Sequence, residues 1–248
     1  MPDSDRDWSK WGRSDPYFAV LAHPQFGRET IAEHRDAFFQ TGEHYVASVL
    51  AGLEASSGAF PRRRALDHGC GTGRLTIPLS RAFEQVVALD VAPEMLAEAE
   101  RNARGANRDN IHFHQADDRL SGVAGSFDFV LSHLVLQHVP VERGLLIFER
   151  LIELVAPGGA FHVSVSVRND RGSRRALYWA SARLPLVKGV QNLLRGDAWG
   201  TPAMQMNDYP LGTLVAGLSK RGVQRLTLTV DPYHPRFQTV VLSGLVPA

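Results

Sequence analysis

Residues 64–167 of this 248-residue chain predict an α/β domain built on a doubly wound, mostly parallel sheet. Three observations carry that reading. Short apolar runs alternate with amphipathic stretches at the spacing of strand–helix units. The first run, Ala65-Leu66-Asp67, ends in a glycine-rich turn, where a doubly wound sheet places its first ligand loop. The second run, Val86–Asp90, ends on an acid about 20 residues after Gly69.

Met1–Phe60 reads as a helical extension, and 61–248 as the α/β domain. Thr30–Phe39 and Gly42–Leu53 repeat apolar residues at helical spacing, with Val46, Val49, Leu50 and Leu53 in the second stretch. Ser56-Ser57-Gly58 closes it. After the first strand comes a helix over Leu75–Phe83. Pro93 starts the helix that follows the second strand, where its missing N–H costs nothing, and Met95, Leu96 and Ala99 face inward. Ile111–Gln115 and Phe127–Leu131 are the third and fourth strands. Glu142–Val155 is an amphipathic helix, with Leu145, Leu146, Phe148, Leu151, Ile152 and Val155 expected inside. Pro157-Gly158-Gly159 stops it, and Ala160–Val167 is the fifth strand. Crossovers between parallel strands should be right-handed. Arg168–Asn207 breaks the pattern as an irregular, partly helical insertion. Leu211–Lys220 is a further helix, and Val223–Val230 with Gln238–Val246 form a hairpin at an antiparallel sheet edge.

Composition narrows the function. Hydrophobic residues are 44% and charged residues 21%, enough for a real core and a solvated surface. A net charge of +1 gives no whole-molecule field to capture nucleic acid. The single cysteine, Cys70, excludes a disulfide framework and any iron–sulfur site needing several thiolates from this chain. No apolar run suits a signal peptide or a membrane span, so a cytoplasmic protein is expected.

The strongest signal is Ala65-Leu66-Asp67-His68-Gly69-Cys70-Gly71-Thr72-Gly73-Arg74-Leu75. Glycines let the backbone approach a ligand, and the following helix offers free N–H groups. The spacing is G-x-G-x-G, and Arg74 stands where a dinucleotide fingerprint has a small residue. The loop therefore reads as a cradle for a ligand bearing a carboxylate and an amino group, with Asp67 drawing the ammonium. Asp90 stands where an acid binds ribose hydroxyls, its plainer reading being a turn or cap before Pro93. Gln115-Ala116-Asp117-Asp118 offers a further acid for an adenine amino group. A surface turn is the plainer reading, more so for Asp118 than for Asp117.

The segments LDHGCGTGRL, VVALDVAPEML, QADD, GSFDFVLSHLVLQHV and LVAPGGAF resemble, in order and spacing, the class I S-adenosylmethionine-dependent methyltransferases of bacterial small-molecule type. The resemblance implies a seven-stranded, Rossmann-like sheet in three α/β/α layers with an antiparallel C-terminal strand. It implies S-adenosyl-L-methionine as cofactor and S-adenosyl-L-homocysteine as product. It places Gly69, Cys70 and Gly71 near the methionine part, Asp90 on the ribose, Val91 and Met95 beside the adenosine, and Asp117 at the adenine. Ser132 and His133 would form the floor of the reaction site.

Methyl transfer from a sulfonium is a displacement, helped by holding the acceptor in line and, for a hydroxyl, by a base. His133, beyond the fourth strand, is the first candidate, against an equal case for a polar loop residue. His138 is the second, although a structural histidine bonded to backbone is its first reading. Asp208 and Tyr209 could face the cleft, or Asp208 could simply start a helix. His112 and His114 share a strand face without a third ligand, so no metal is expected. Metal-dependent relatives need an acid at the end of strand four, where Ser132-His133 stands.

The acceptor should be chosen by the variable parts. Trp8, Trp11, Tyr17 and Phe18 could form an N-terminal lid, with Tyr17 or Trp11 approaching the cofactor, or could anchor the N-terminus. The insertion at 168–207 carries Arg168, Arg171, Arg174, Arg175, Arg183, Lys188 and Arg195 against Asp170 and Asp197. That would suit an anionic or sugar-like acceptor, while its apolar residues fit a lipid or a second subunit as in a homodimer. A solvated cationic face is the plainer reading. The expected activity is O-methylation of a small molecule. A non-catalytic cofactor-binding subunit, an NAD(P)-dependent oxidoreductase and a nucleic-acid enzyme are the alternatives.

Overall fold

The computed structural model describes residues 4–169, 201–202, 204–223, 225–234 and 237–247. The insertion expected at 168–207 therefore lies largely outside the described residues, its basic and apolar side chains included. Two short helices open the chain, α1 (Ser4–Ser14) and α2 (Pro16–Val20), followed by the long α3 (Ile31–Ser57). Strand and helix then alternate: β1 (Arg64–His68), α4 (Thr76–Ala82), β2 (Gln85–Asp90), α5 (Pro93–Gly105), β3 (Ile111–Gln115) and β4 (Phe127–Ser132). The chain continues through α6 (Val141–Glu153), β5 (Val155–Asn169), α7 (Leu211–Lys220), β6 (Leu226–His234) and β7 (Phe237–Leu245).

The sheet has seven strands in the order β3-β2-β1-β4-β5-β7-β6. β1 pairs in parallel with β2 and β4, and β4 with β5. β7 runs antiparallel to both neighbours, so it enters between β5 and β6 and leaves β6 at the edge. The C-terminal strands thus form the antiparallel pair expected at the sheet edge, with β7 on the inside and β6 outermost. Strand order reverses on either side of β1, and the crevice beyond the ends of β1 and β4 is where such sheets bind ligands.

Apolar alternation on the strands explains the layers. Leu66, Val87, Leu89 and Val130 face α6 and α7, whose Ile147, Phe148, Leu151, Leu214 and Leu218 complete that core. Ala65, Val86, Phe129 and Leu131 face the other way, against Val46, Leu50 and Leu53 of α3 and Leu79 of α4. In α6 the buried positions are Gly144, Ile147, Phe148, Leu151 and Ile152. Leu146, expected inside, is 61% exposed, and Ile147 takes its place because the buried stripe follows 144, 147, 148, 151 and 152.

Two boundaries differ from the sequence reading. α3 runs unbroken through Gly42, where two helical stretches were expected. Gly42 is a contact and not a break: a Cβ there would collide with the backbone carbonyl of Arg74. β5 begins at Val155, five residues earlier than its apolar run suggests, with a register shift against β4 between Phe127 and Phe129. Gly158, at φ 72°, allows that irregular entry.

Candidate active site

A cavity of about 570 Å³ opens beyond the carboxyl ends of β1, β2 and β4. The glycine loop forms its wall. Gly69 and Gly71 have φ of 76° and 53°, which side chains rarely adopt. A Cβ on Gly69 would collide with Val135, and one on Gly71 would lie 2.5 Å from Val20 Cγ2. The loop therefore has to be bare backbone to bring its N–H groups to a ligand.

Two carboxylates are buried under that loop. Asp67 accepts the Thr76 hydroxyl at 2.6 Å, and burial pushes its carboxyl up to about 6. Asp90 accepts the N–H of Gly71 and that of Ala92, each at 2.9 Å, and burial pushes it up to about 6 as well. Each oxygen keeps a lone pair for a further donor. Buried carboxyls raised in this way gain from a cationic or hydroxyl-bearing ligand. An ammonium at Asp67 and ribose hydroxyls at Asp90 fit that donor set.

At the adenosine end, Val91, Met95, Asp117 and Asp118 line the cavity. Asp117 is exposed and accepts the N–H of Ser121 at 2.9 Å and of Arg119 at 3.0 Å, and the Ser121 bond leads in holding its carboxyl below the usual range. Asp118 takes the Arg143 guanidinium through Nε at 2.8 Å and Nη2 at 2.6 Å. Arg143 also reaches Asp5 of α1, at 3.0 Å from Nη2 to Oδ2. One guanidinium thus fastens α1 to the rim of the cavity.

Beyond β4 the chain turns sharply. Leu134 has φ 59°, and its N–H donates to Ser164 Oγ at 2.6 Å. Such a conformation is strained for leucine and presents His133 at the cavity wall. His133 Nδ1 lies 2.6 Å from the Tyr45 hydroxyl, and burial leads in driving its pKa well below the ordinary histidine value, with Arg74 and His162 adding to the effect. His138 also lines the cavity. Its Nδ1 lies 2.6 Å from the Gln205 carbonyl, which has no proton to give, so Nδ1 carries the hydrogen. Burial lowers His138 to about 4.

Of the residues singled out in the sequence, Asp67, Gly69, Cys70, Gly71, Asp90, Val91, Met95, Asp117, Asp118, His133 and His138 line the cavity. Ser132 does not. It is buried behind the wall, its Oγ 3.0 Å from His68 Nδ1, and His68 lines the cavity in its place. Tyr17 is a second correction. Its hydroxyl donates to Glu98 at 2.5 Å and its ring packs edge-on to Phe38, so it anchors α2 to α5 outside the cavity. Trp11 packs against Ala92 and Met95, while Trp8, edge-on to His138 at 4.9 Å, lines the cavity. Asp208 accepts from Ser166, and Tyr209 donates to the carbonyls of Leu136 and Val139. Neither lines the cavity. Arg143 and Tyr45 were not foreseen, because their contacts join segments far apart in sequence and leave no local spacing.

A methyltransferase domain model matches residues 65–159. The ubiquinone biosynthesis O-methyltransferase of Methylocella silvestris is 40% identical over 189 residues, covering 71% of this chain and 69% of that one. This chain belongs to the class I S-adenosylmethionine-dependent methyltransferases. Its cofactor is S-adenosylmethionine. The trans-aconitate 2-methyltransferase of Deinococcus radiodurans is 38% identical over 128 residues, which are 50% of this chain and 46% of that enzyme. The chain thus spans about half the length of that relative. In fold, the methyltransferase resembles the magnesium protoporphyrin IX methyltransferase of Synechocystis with bound S-adenosylmethionine, with a TM-score of 0.61, 19% identity and coverage of 99% and 98%. The cavity between Asp67, Asp90 and the glycine loop could hold that cofactor.

Proposed function

We propose that this methyltransferase methylates a hydroxyl of a small molecule, with His133 as the base. The carrying observation is His133 at the cavity wall with Nδ1 engaged by Tyr45, which leaves Nε2 as its remaining ring nitrogen. Bound S-adenosylmethionine supplies a methyl group on a positively charged sulfur that departs as a neutral thioether with the bonding pair. The acceptor oxygen needs only to be held in line and relieved of its proton. Nε2 takes that proton. Asp67 holds the ammonium of the donor, Asp90 its ribose, and Val91 and Met95 flank the adenosine. Asp117 and Asp118 stand at the adenine edge.

The activities of the relatives support a small acceptor and, for the Methylocella protein, an oxygen as methyl acceptor. Among the described residues, the cavity holds more carboxylates than guanidinium groups, so an anionic or sugar-like acceptor rests on the insertion alone. Titration calorimetry with S-adenosylhomocysteine comes first, followed by transfer of labelled methyl to a panel of phenols and hydroxy acids. His133→Gln should cut turnover on the acceptor found by about 100-fold, the usual scale of one general base, with cofactor affinity unchanged. Turnover equal to the unsubstituted enzyme would remove His133 as the base.

A further inference from the structure

Behind His133 lies a chain of side chains from three other elements. Tyr45 of α3 places its hydroxyl 2.6 Å from His133 Nδ1 and 2.9 Å from His162 Nε2. His162 of β5 turns its Nδ1 to Ser243 Oγ of β7 at 2.8 Å, and the two are cross-strand partners. The Tyr45 ring also packs on both imidazoles, with centroids 4.1 Å from His133 and 5.8 Å from His162. His162 and Ser243 are both buried.

The bonding capacity of these groups couples the two histidines. A phenol has one hydrogen. Tyr45 can therefore donate to one imidazole and must accept from the other. A neutral imidazole carries hydrogen on one nitrogen only, and burial keeps both rings neutral, holding His162 at about 4. With the Tyr45 hydrogen on one of these two imidazoles, two arrangements satisfy the three bonds. In one, all donors point away from the cavity: His133 Nδ1–H to Tyr45, Tyr45 O–H to His162 Nε2, His162 Nδ1–H to Ser243. In the other, all are reversed. The first leaves a lone pair on His133 Nε2, and the second puts a hydrogen there.

We propose that Tyr45 and His162 are positioning residues that hold His133 in the Nδ1–H tautomer and so keep Nε2 open to the acceptor's proton. This rests on the reading of His133 as the base. When Nε2 takes that proton, His133 keeps its Nδ1–H on Tyr45 and Tyr45 keeps its O–H on His162 Nε2. The positive charge stays on His133, with one proton gained there and none moved along the chain. The arrangement resembles a catalytic dyad in logic, a second group fixing the tautomer of the first. The orienting partner here is a neutral phenol backed by a second histidine, where a carboxylate is the commoner choice.

The test reads tautomers directly and needs no acceptor. Long-range proton–nitrogen spectra are recorded on the full chain labelled with nitrogen-15 histidine and saturated with S-adenosylhomocysteine. His133→Gln and His162→Gln assign the two rings. The expected result is Nδ1–H at both His133 and His162. Tyr45→Phe should shift His133 from a single Nδ1–H form to a mixture dominated by Nε2–H, the form a neutral imidazole favours alone. His162→Gln places an amide near the lost Nε2 and should keep His133 as Nδ1–H, whereas His162→Leu should not. Nε2–H at His133 in the unsubstituted protein, or an unchanged His133 tautomer in Tyr45→Phe, would overturn the proposal. Turnover of His133→Gln is the separate arm: unchanged turnover removes the base, while the spectra alone decide the positioning.

Discussion

Gly42, midway along α3, lies against the backbone carbonyl of Arg74, closer than any side chain would permit. The long helix is thereby pinned to the end of the glycine loop. Arg74 adds a second tie through Nη1 to the Thr41 hydroxyl at 3.3 Å. Gly42→Ala gains about 1 kcal/mol of helix propensity but forces apart two packed backbones, at about 1–3 kcal/mol. The expected outcome is a net loss of stability together with weaker S-adenosylhomocysteine binding, since the loop must move with α3. Thermal unfolding with and without the ligand checks it. A gain in stability with unchanged affinity would mean that α3 adjusts without disturbing the loop.

Arg143 joins three segments, gripping Asp118 beyond β3 through two bonds along one edge, and Asp5 and Ser4 on α1. These charge-assisted bonds hold its guanidinium above its ordinary value, the bond to Asp118 being the largest cause. The site is partly exposed, so the contribution is modest, about 1 kcal/mol for a bidentate networked pair. Arg143→Ala should raise hydrogen exchange across residues 4–14 and weaken S-adenosylhomocysteine binding about five-fold, the ratio that 1 kcal/mol represents. Exchange confined to its unsubstituted level would show that Trp11 packed on Met95, and not the guanidinium, holds α1 in place.

Tyr17→Phe separates anchoring from cofactor contact. The hydroxyl bonds Glu98 and Asn102, and Asn102 in turn donates to the Thr72 carbonyl in the glycine loop. Burial, with Glu98 next, pushes the phenol up to about 12. Losing this hydroxyl should cost about 1 kcal/mol of stability and leave S-adenosylhomocysteine affinity within about two-fold. A large loss of affinity without a loss of stability would restore Tyr17 to the cofactor.

That contrast shows what the sequence could carry. The glycine-rich turn, the acid ending β2 and the alternation of β1 through β4 are local patterns, and each lies where it was read, while β5 starts earlier because its entry is irregular. Met95 and Val91 came from the family resemblance, and both line the cavity. Tyr17 misled because an aromatic in a polar stretch shows that it will be buried, not against what. His162 gave no signal, since one polar residue in an apolar strand says nothing until the strand partner Ser243 and the helix bearing Tyr45 are in place. Leu146 and Ile147 were exchanged because adjacent apolar residues differ by only about 100° around a helix.

Asp90 offers the sharpest test, because its burial gives the cofactor site a pH dependence of known sign. Its carboxyl is raised to about 6, as is that of Asp67. In the ligand-free protein a raised carboxyl binds more protons than in the unfolded chain between about pH 4 and 6. Its contribution to stability is therefore full below about 4 and is lost as pH rises through 6. His68, His138 and His162, lowered to about 4 by burial, act in the opposite sense: the unfolded chain binds the extra protons, and stability is lost as pH falls from about 6.5. Stability thus reports the two sets against each other, whereas ligand binding isolates the carboxyls. Accepting ribose hydroxyls at Asp90 and an ammonium at Asp67 favours the ionised forms, so S-adenosylhomocysteine affinity should be level above pH 7. It should fall by up to about ten-fold for each unit and each group below 6. Asp90→Asn should bind weakly at every pH with a flatter profile, the residual slope belonging to Asp67. Asp90→Ala, which also strands the N–H groups of Gly71 and Ala92, should abolish binding on the calorimetric scale. Near-normal affinity in Asp90→Ala would remove the ribose from this carboxylate, and an unchanged slope in Asp90→Asn would assign the titration to Asp67 alone.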